Sequence, residues 1–400
     1  MKPNTNVKDI EKILNRGIIA QVLPCRNEFI KKLASGKQLR FYIGADATGK
    51  SLHLSHAKNF MLLEEFRQLG HKVFVLFGDL TACIGDPSDK DSARAKLSRA
   101  AAKENALSWA SQIKNIINFD DPVNPAEIVF NSTWFDKFTI TQTLELFSNA
   151  TVQQMIERDM FQRRLKENKP IFLHEFLYPM FQGYDSVALD VDVEMCGVDQ
   201  TFNALAGRDL LKKLTGKEKF VVVNNLMENP KTGHLMSKSN NTGVFLSSNA
   251  GDMFGQIMAQ PDEMIEILLI NNTRIPLDKI KELKTTNPMQ AKLFTATEVV
   301  KVFFGEQVAN DERAKFEKKF SKRELTADDF VVLKTMAGTP LLDILMQSGK
   351  FKSKGELKRL LASGAIKNLD IDSVIVDDVL IGGIMKVKVG KLNFFEIHAR

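Results

Sequence analysis

The stretch QLRFYIGADATGKSLHLSHAKNF, residues 38–60, passes from one periodicity to another within a few positions. Leu39, Phe41 and Ile43 alternate with Arg40, Tyr42 and Gly44, the two-residue repeat of a strand. From about His53 the apolar residues fall at helical spacing as far as Leu69, and Gly70 supplies the stop. A strand that turns directly into a helix brings free N–H groups and a positive dipole end to the edge of a sheet, where a phosphate is held well. The same stretch carries two further patterns. His53 and His56 stand three apart and share a helix face, but no Cys, Asp or Glu occupies a natural third-ligand position, so no metal is assigned to them. Gly44, Gly49, Lys50 and Ser51 fit the phosphate-loop spacing G-x-x-x-x-G-K-[ST], which would suit a nucleotide hydrolase. The histidine pair that follows at once, with a lysine loop far downstream, argues against that reading.

Outward from this stretch, KVFVLFGD (72–79), EIVFN (127–131), VDVEMC (191–196) and KFVVVNN (219–225) are short apolar runs of the kind buried in a parallel sheet. Helical spacing is expected over 6–36, from Ser92 to about Ile116, over most of 137–184 and from Asp199 to about Leu214. Strands alternating with helices predict an α/β fold with a Rossmann-like, doubly wound parallel sheet. From about 248 to 329 only helical patterns remain, and a third unit with two short helices and strand-like SVIVDD, IMKVKVG and NFFEIH begins near Gly338. The expected division is therefore 1–247, 248–330 and 338–400, the last a small α+β domain.

The 400 residues are 44% hydrophobic and 26% charged, an ordinary globular composition. A formal charge of +6 is compatible with a polyanionic partner. Cys25, Cys83 and Cys196 lack CxxC spacing, which argues for a reducing, cytoplasmic setting. Charged residues among the first thirty exclude a signal peptide, and no apolar run approaches the roughly 18 residues of a membrane span.

Two later stretches give the site its character. GHLMSKSNN (233–241) is a polar loop with Lys238 between two serines, suited to bringing a cation onto phosphates. In HEFLYPMFQGYDSVAL, Tyr178, Gln182 and Asp185 stand at i, i+4 and i+7 on one helix face, with Pro179 expected to disturb that helix locally. Tyr42, Gly44 and Asp46 likewise share one side of their strand. HLSH (53–56) and LMSKS (235–239) resemble the two signatures of class I aminoacyl-tRNA synthetases. YIGADATGKSLHLSH, IGDPSDKDSAR, LYPMFQGYDSVALDVDVEMCGVDQTFN and LMSKS, in that order, resemble the tyrosyl-tRNA synthetase family over most of residues 37–245, and the C-terminal module does so more loosely.

The resemblance implies activation of L-tyrosine by ATP, with Mg²⁺, and its transfer to tRNA(Tyr) by a homodimer. It implies that Tyr42 and Asp185 hydrogen-bond the phenol of bound tyrosine, and that Asp86, Tyr178 and Gln182 hold its ammonium group, with Thr81 and Gln200 nearby. Asp46 and Asp199 match positions facing the substrate and the ATP ribose. Gly44, Ser55, Met236 and Ser237 belong to the implied ATP site; His53, His56 and Lys238 act on the triphosphate; Lys90 and Arg94 reach the pyrophosphate. A buried carboxylate that expects a phenol donor is left unpaired by phenylalanine, so selection needs no editing domain. Three residues depart from the family pattern. Ser55 stands where the first signature has Gly, Leu235 replaces the first lysine of the second, and Ala47 stands where many members have Pro. In SKGELKRLLASGAIKN (353–368) and its approach, Lys350, Lys352, Lys354, Lys358 and Arg359 form a basic cluster suited to phosphates of structured RNA, as in the small RNA-binding domain that this segment resembles.

Overall fold

Strand β2, Arg40–Ala45, is the centre of the first sheet in the computed structural model, which describes residues 1–86, 97–236, 243–283, 286–320, 329–371, 373–390 and 393–399. With β1 (Ile19–Leu23), β3 (Lys72–Phe77), β4 (Glu127–Phe130), β5 (Val193–Gly197) and β6 (Phe220–Asn224) it forms a six-stranded sheet of order β1-β6-β5-β2-β3-β4. All neighbours pair in parallel except β1, which runs antiparallel to β6. The chain winds from β2 through β3 to β4 in one direction and returns from β5 to β6 in the other. The order reverses beside β2, so the crevice beyond the carboxyl ends of β2 and β5 is the ligand position of such a sheet. The four apolar runs and the β2 alternation all form the strands expected of them.

Two helical expectations do not hold. Residues 6–36 are not one helix: helices Val7–Leu14 and Arg26–Leu33 flank strand β1. Gly17 at φ +97° ends the first helix region, Pro24 follows the strand, and between them Val22 and its neighbours satisfy their backbone on β6. Helical spacing alone did not reveal this edge strand. The second long helix spans Arg99–Ile113 rather than starting at Ser92, because Ser98 caps it by accepting from the Ala101 N–H at 3.2 Å. Residues 92–96 lie outside the described ones.

The helix after β2 spans Leu54–Gln68, and Phe66 from it stacks on Phe41 of β2 with ring centroids 4.5 Å apart. The helix Leu173–Ala188 runs through Pro179 without a break. It packs closely on Thr201–Thr215 because two glycines meet: a Cβ on Gly183 would stand 3.0 Å from Gly207 Cα. Among the described residues, five helices between Ala250 and Phe320 follow the sheet.

The chain divides into two compact units, Met1–Arg313 and Ala314–Arg400. The second has helices Leu341–Gln347 and Lys354–Ala362 against a five-stranded sheet. Its strands in spatial order are Ser373–Val374, Ile366–Asn368, Ile384–Val389, Asn393–Ala399 and Val331–Thr335. Ile344, Leu345, Leu357, Val387 and Phe395 form its core. Strand Val331–Thr335, parallel to Asn393–Ala399, has no counterpart in the sequence reading. Among the described residues no helix is long and apolar enough to cross a membrane.

Candidate active site

The carboxyl ends of β2, β3 and β5 each deliver polar side chains into the crevice. Asp46 follows β2, Thr81 opens the short helix after β3, and Asp199 and Gln200 follow β5. Asp46 accepts from Thr81 Oγ1 at 2.7 Å and from Tyr178 Oη at 2.9 Å. Gly78 permits this approach, since a Cβ there would stand about 2 Å from both Thr81 Oγ1 (2.0 Å) and Asp46 Oδ1 (2.1 Å). Asn131, just beyond β4, donates to Thr81 Oγ1 at 3.0 Å and to Asp185 Oδ2 at 3.5 Å, and the Trp134 indole donates to Asp185 Oδ1 at 3.0 Å. Tyr178, Asp46, Thr81, Asn131, Asp185 and Trp134 thus form one connected hydrogen-bonded chain. Asp86 accepts from Gln200 Nε2 at 2.6 Å, Tyr42 Oη lies 3.0 Å from Ser186 Oγ, and Gln182 Nε2 donates to Glu194 Oε1 at 3.1 Å.

Burial dominates the electrostatics here. It pushes the Asp46 carboxyl up to about 7, against the Thr81 and Tyr178 hydrogen bonds, with Asp86 and Asp79 adding to the rise. Asp185 is raised well above the ordinary carboxylate range by burial, while the Trp134 and Asn131 donors pull the other way. An arriving cation near Asp46 favours its ionised form, which suits an ammonium group.

The histidine pair sits differently from the expected helical face. His53 is the residue before the helix, with extended backbone, and only His56 lies within it. His56 Nδ1 accepts from the His53 N–H at 3.2 Å, which leaves the His56 proton on Nε2. Burial lowers His53 to about 4 and His56 to about 3, the latter also through His53, so both rings are neutral donors at pH 7. The turn between β2 and this helix is pinned through its carbonyls: Asn105 donates to Ala47 O at 2.9 Å, Trp109 to Gly49 O at 2.6 Å and Gln112 to Lys50 O at 2.9 Å. Helix starts only at Leu54, three residues after Ser51, so the Gly44–Ser51 pattern does not form the loop-into-helix arrangement of a phosphate loop.

Val244–Leu246 returns alongside Leu52–Leu54, with the Leu54 N–H donating to Val244 O at 3.0 Å and the Leu246 N–H to Leu52 O at 2.9 Å. Both arms of the LMSKS segment are therefore described on either side of residues 237–242: Met236 is buried and Leu235 is exposed. Ser237, Lys238, Lys90 and Arg94 lie outside the described residues.

In the second unit, Lys350, Lys352, Lys354, Lys358 and Arg359 are all exposed on the helix Lys354–Ala362 and its approach. Lys354 is paired with Asp343 at 2.5 Å, a partner the sequence reading did not include.

Several site residues escaped the sequence reading. Asn131 and Trp134 are polar groups directly after an apolar strand, which is a usable signal at a strand's carboxyl end. Lys58, buried and lowered to about 8 by desolvation despite Asp199, and Arg158, whose guanidinium stacks 4.8 Å from the Phe202 ring centre, had no signal.

The family model for class I tRNA synthetases of the W and Y type matches residues 34–321. A tyrosine–tRNA ligase of Aquifex aeolicus is 36% identical over 92% of this chain and 94% of its own length, and one of Thermotoga maritima is 34% identical over 96% of each. Among solved structures, a C-terminally truncated mitochondrial tyrosyl-tRNA synthetase of Aspergillus nidulans superposes with a TM-score of 0.67 at 22% identity, over 78% of this chain and 94% of its own. A tyrosyl-tRNA synthetase of Archaeoglobus fulgidus in complex with L-tyrosine gives 0.58 at 17% identity, over 76% and 99%. The two solved structures share the fold. With the match across the catalytic sheet and the near full-length relatives, the chain belongs to the tyrosyl-tRNA synthetase family of class I.

Proposed function

We infer that this chain activates L-tyrosine with ATP, releasing pyrophosphate, and passes the tyrosyl group to the 3′ end of tRNA(Tyr). The observation that carries the reading is the connected chain from Tyr178 through Asp46 and Thr81 to Asp185, with Tyr42 beside it. Tyr42 and Asp185 take the phenol; Asp86, Tyr178 and Gln182, with Thr81 and Gln200, take the ammonium. No protein nucleophile is required. A carboxylate oxygen of tyrosine forms a bond to the α-phosphorus, and the bond to the bridging oxygen breaks as pyrophosphate leaves with the electron pair. A hydroxyl of the terminal tRNA ribose then attacks the tyrosyl carbonyl and AMP departs. His53 and His56, as neutral N–H donors, with Lys238, Lys90 and Arg94, stabilise charge developing on the phosphates, while Gly44, Asp46, Ser55, Asp199, Met236 and Ser237 border the rest of ATP. Mg²⁺ supplies further charge neutralisation when bound. Among the described residues no three His, Cys, Asp or Glu side chains converge to hold an ion.

The same proposal extends beyond the sheet. Residues 1–247 are the catalytic domain, 248–330 serve the anticodon side of the tRNA, and 338–400, with its five exposed cations, binds RNA. The chain acts as a cytoplasmic homodimer. Ile140, Leu144, Val152, Phe172 and Leu173 are large apolar side chains exposed within residues 140–173, which a second copy would cover.

The test is ATP–pyrophosphate exchange with tyrosine, phenylalanine and tryptophan supplied separately and without tRNA. Exchange with tyrosine alone is expected. Exchange with tryptophan, or ATP turnover without any amino acid, overturns the reading. Truncation near Gly338 is expected to impair tRNA charging and spare exchange; loss of both together removes the proposed division of labour.

A further inference from the structure

Two strands carry opposite charges into an otherwise apolar part of the sheet. Glu194 lies in β5 and Lys219 stands directly before β6; their side chains are 2% and 0% exposed and form an ion pair. Lys219 Nζ also donates to Ser186 Oγ at 2.6 Å, and Ser186 Oγ is 3.0 Å from Tyr42 Oη and 3.5 Å from Glu194 Oε2. Glu194 Oε1 accepts from Gln182 Nε2 at 3.1 Å. One buried pair therefore touches both the residue assigned to the phenol, through Ser186, and a residue assigned to the ammonium. Gly207 leaves room for it, since a Cβ there would stand 2.9 Å from Lys219 Nζ.

Counting donors gives these contacts a direction. An ammonium group only donates, so Ser186 Oγ accepts from Lys219 and keeps one hydrogen of its own. Tyr42 Oη and Glu194 Oε2 compete for that hydrogen; Tyr42 is nearer, and Lys219 already engages the same Glu194 oxygen. Ser186 thus donates to Tyr42, whose own hydrogen is shared between Glu194 and an arriving ligand. At the other end, Gln182 gives its amide nitrogen to Glu194, so its carbonyl oxygen faces away from the pair and accepts from an ammonium group.

We propose that the Lys219–Glu194 pair is a positioning element for tyrosine selection, setting the hydrogen-bond polarity from Lys219 through Ser186 and Tyr42 to the substrate's phenolic oxygen. The phenol hydrogen then goes to Asp185. Without Lys219, Glu194 captures the Ser186 hydrogen, Ser186 accepts from Tyr42, and Tyr42 no longer donates to the substrate. The proposal rests on the assignment of Tyr42 and Asp185 to the phenol.

The test compares kcat/KM for tyrosine and phenylalanine in pyrophosphate exchange by the full chain. Lys219→Met/Glu194→Gln removes both charges together, so neither ion is left buried alone. Ser186→Ala breaks the relay at its middle atom with a minimal change in volume, and leaves Glu194 to take the Tyr42 hydrogen. Each is expected to lower the tyrosine-to-phenylalanine ratio about tenfold, the worth of one hydrogen bond, with the phenylalanine value retained. Tyr42→Phe is the control. If it lowers the ratio while Ser186→Ala leaves it within about twofold, the pair is only a core ion pair and the proposal is overturned. If Tyr42→Phe also leaves the ratio unchanged, the phenol assignment itself fails. A fall in Ser186→Ala sustains the relay even where the double variant does not fold.

Discussion

At the amino-acid end of the crevice, polar side chains from β2, β4 and the helices after β3 and β4 hold one another: Asp46 with Thr81 and Tyr178, Asp185 with Asn131 and Trp134. At the end assigned to ATP, His53 Nδ1 and Lys58 Nζ are buried within six consecutive positions and have no hydrogen-bond partner among the described residues. Burying such atoms unpaired costs about 1–3 kcal/mol each, which a ligand that satisfies them recovers. The first end is organised before substrate arrives and is suited to selection. Under the proposed assignment the second end gains its interactions from the nucleotide and is suited to stabilising charge as the reaction proceeds.

The comparison breaks most directly at the lysine loop. Lys238→Ala is expected to slow adenylate formation by roughly 10²–10³-fold, the usual loss for one charge-stabilising donor, with the KM for tyrosine unchanged. Single-turnover adenylate formation at saturating ATP measures both. A tyrosine KM that rises as far as the rate falls means the two ends are not independent.

Asp185→Asn attacks the other end. The amide keeps the shape but loses the charge that accepts the phenol hydrogen, so kcat/KM for tyrosine is expected to fall roughly 10–100-fold, with phenylalanine little affected. Pyrophosphate exchange with both amino acids gives the ratio. An equal loss for both substrates assigns Asp185 to the fold instead.

These ends were unequally legible in the sequence. Residues placed at a strand end, such as Asp46, or on one helix face, such as Tyr178, Gln182 and Asp185, showed themselves by periodicity, because β2 and the Leu173–Ala188 helix keep ideal spacing. Asn131, Trp134 and Lys219 reach Asp185 and Ser186 of that helix from separated elements, and only the sheet order brings them together. Strand β1 was hidden for a related reason: its pairing partner, β6, lies some two hundred residues away, and local spacing carried no trace of it. The His53–His56 pair was legible as two neighbouring imidazoles but not as geometry, since His53 precedes the helix.

A smaller effect sharpens the nucleotide end. Leu235 is 43% exposed where the family pattern has lysine, and Ser55 Oγ is buried without a partner. Leu235→Lys with Ser55→Gly is expected to lower the KM for ATP about three- to tenfold, the range of one partly exposed charge contact plus relief of a buried hydroxyl. An unchanged KM at fixed tyrosine concentration shows that neither departure weakens ATP binding.

The smallest expected effect is in pH, and it opposes the two ends. In the free protein the Asp46 carboxyl titrates near 7, raised by burial and by Asp86 and Asp79, and bound ammonium favours its ionised form. The KM for tyrosine is therefore expected to rise several-fold as pH falls from about 8 to about 6, and Asp46→Asn is expected to flatten that limb. Stability runs the other way for this group. A raised carboxyl contributes stability that is complete below its unfolded value of 3.8 and is lost as pH rises through about 7. His53 and His56, lowered to about 4 and about 3, contribute stability present above about 6.5 and lost as pH falls towards those values. Thermal unfolding of wild type, Asp46→Asn and His53→Gln across this range separates the two. Asp46→Asn should remove a term that weakens the fold as pH rises, and His53→Gln one that weakens it as pH falls. If tyrosine KM in Asp46→Asn keeps its full slope below pH 7, Asp46 is not the group whose ionisation tyrosine binding requires.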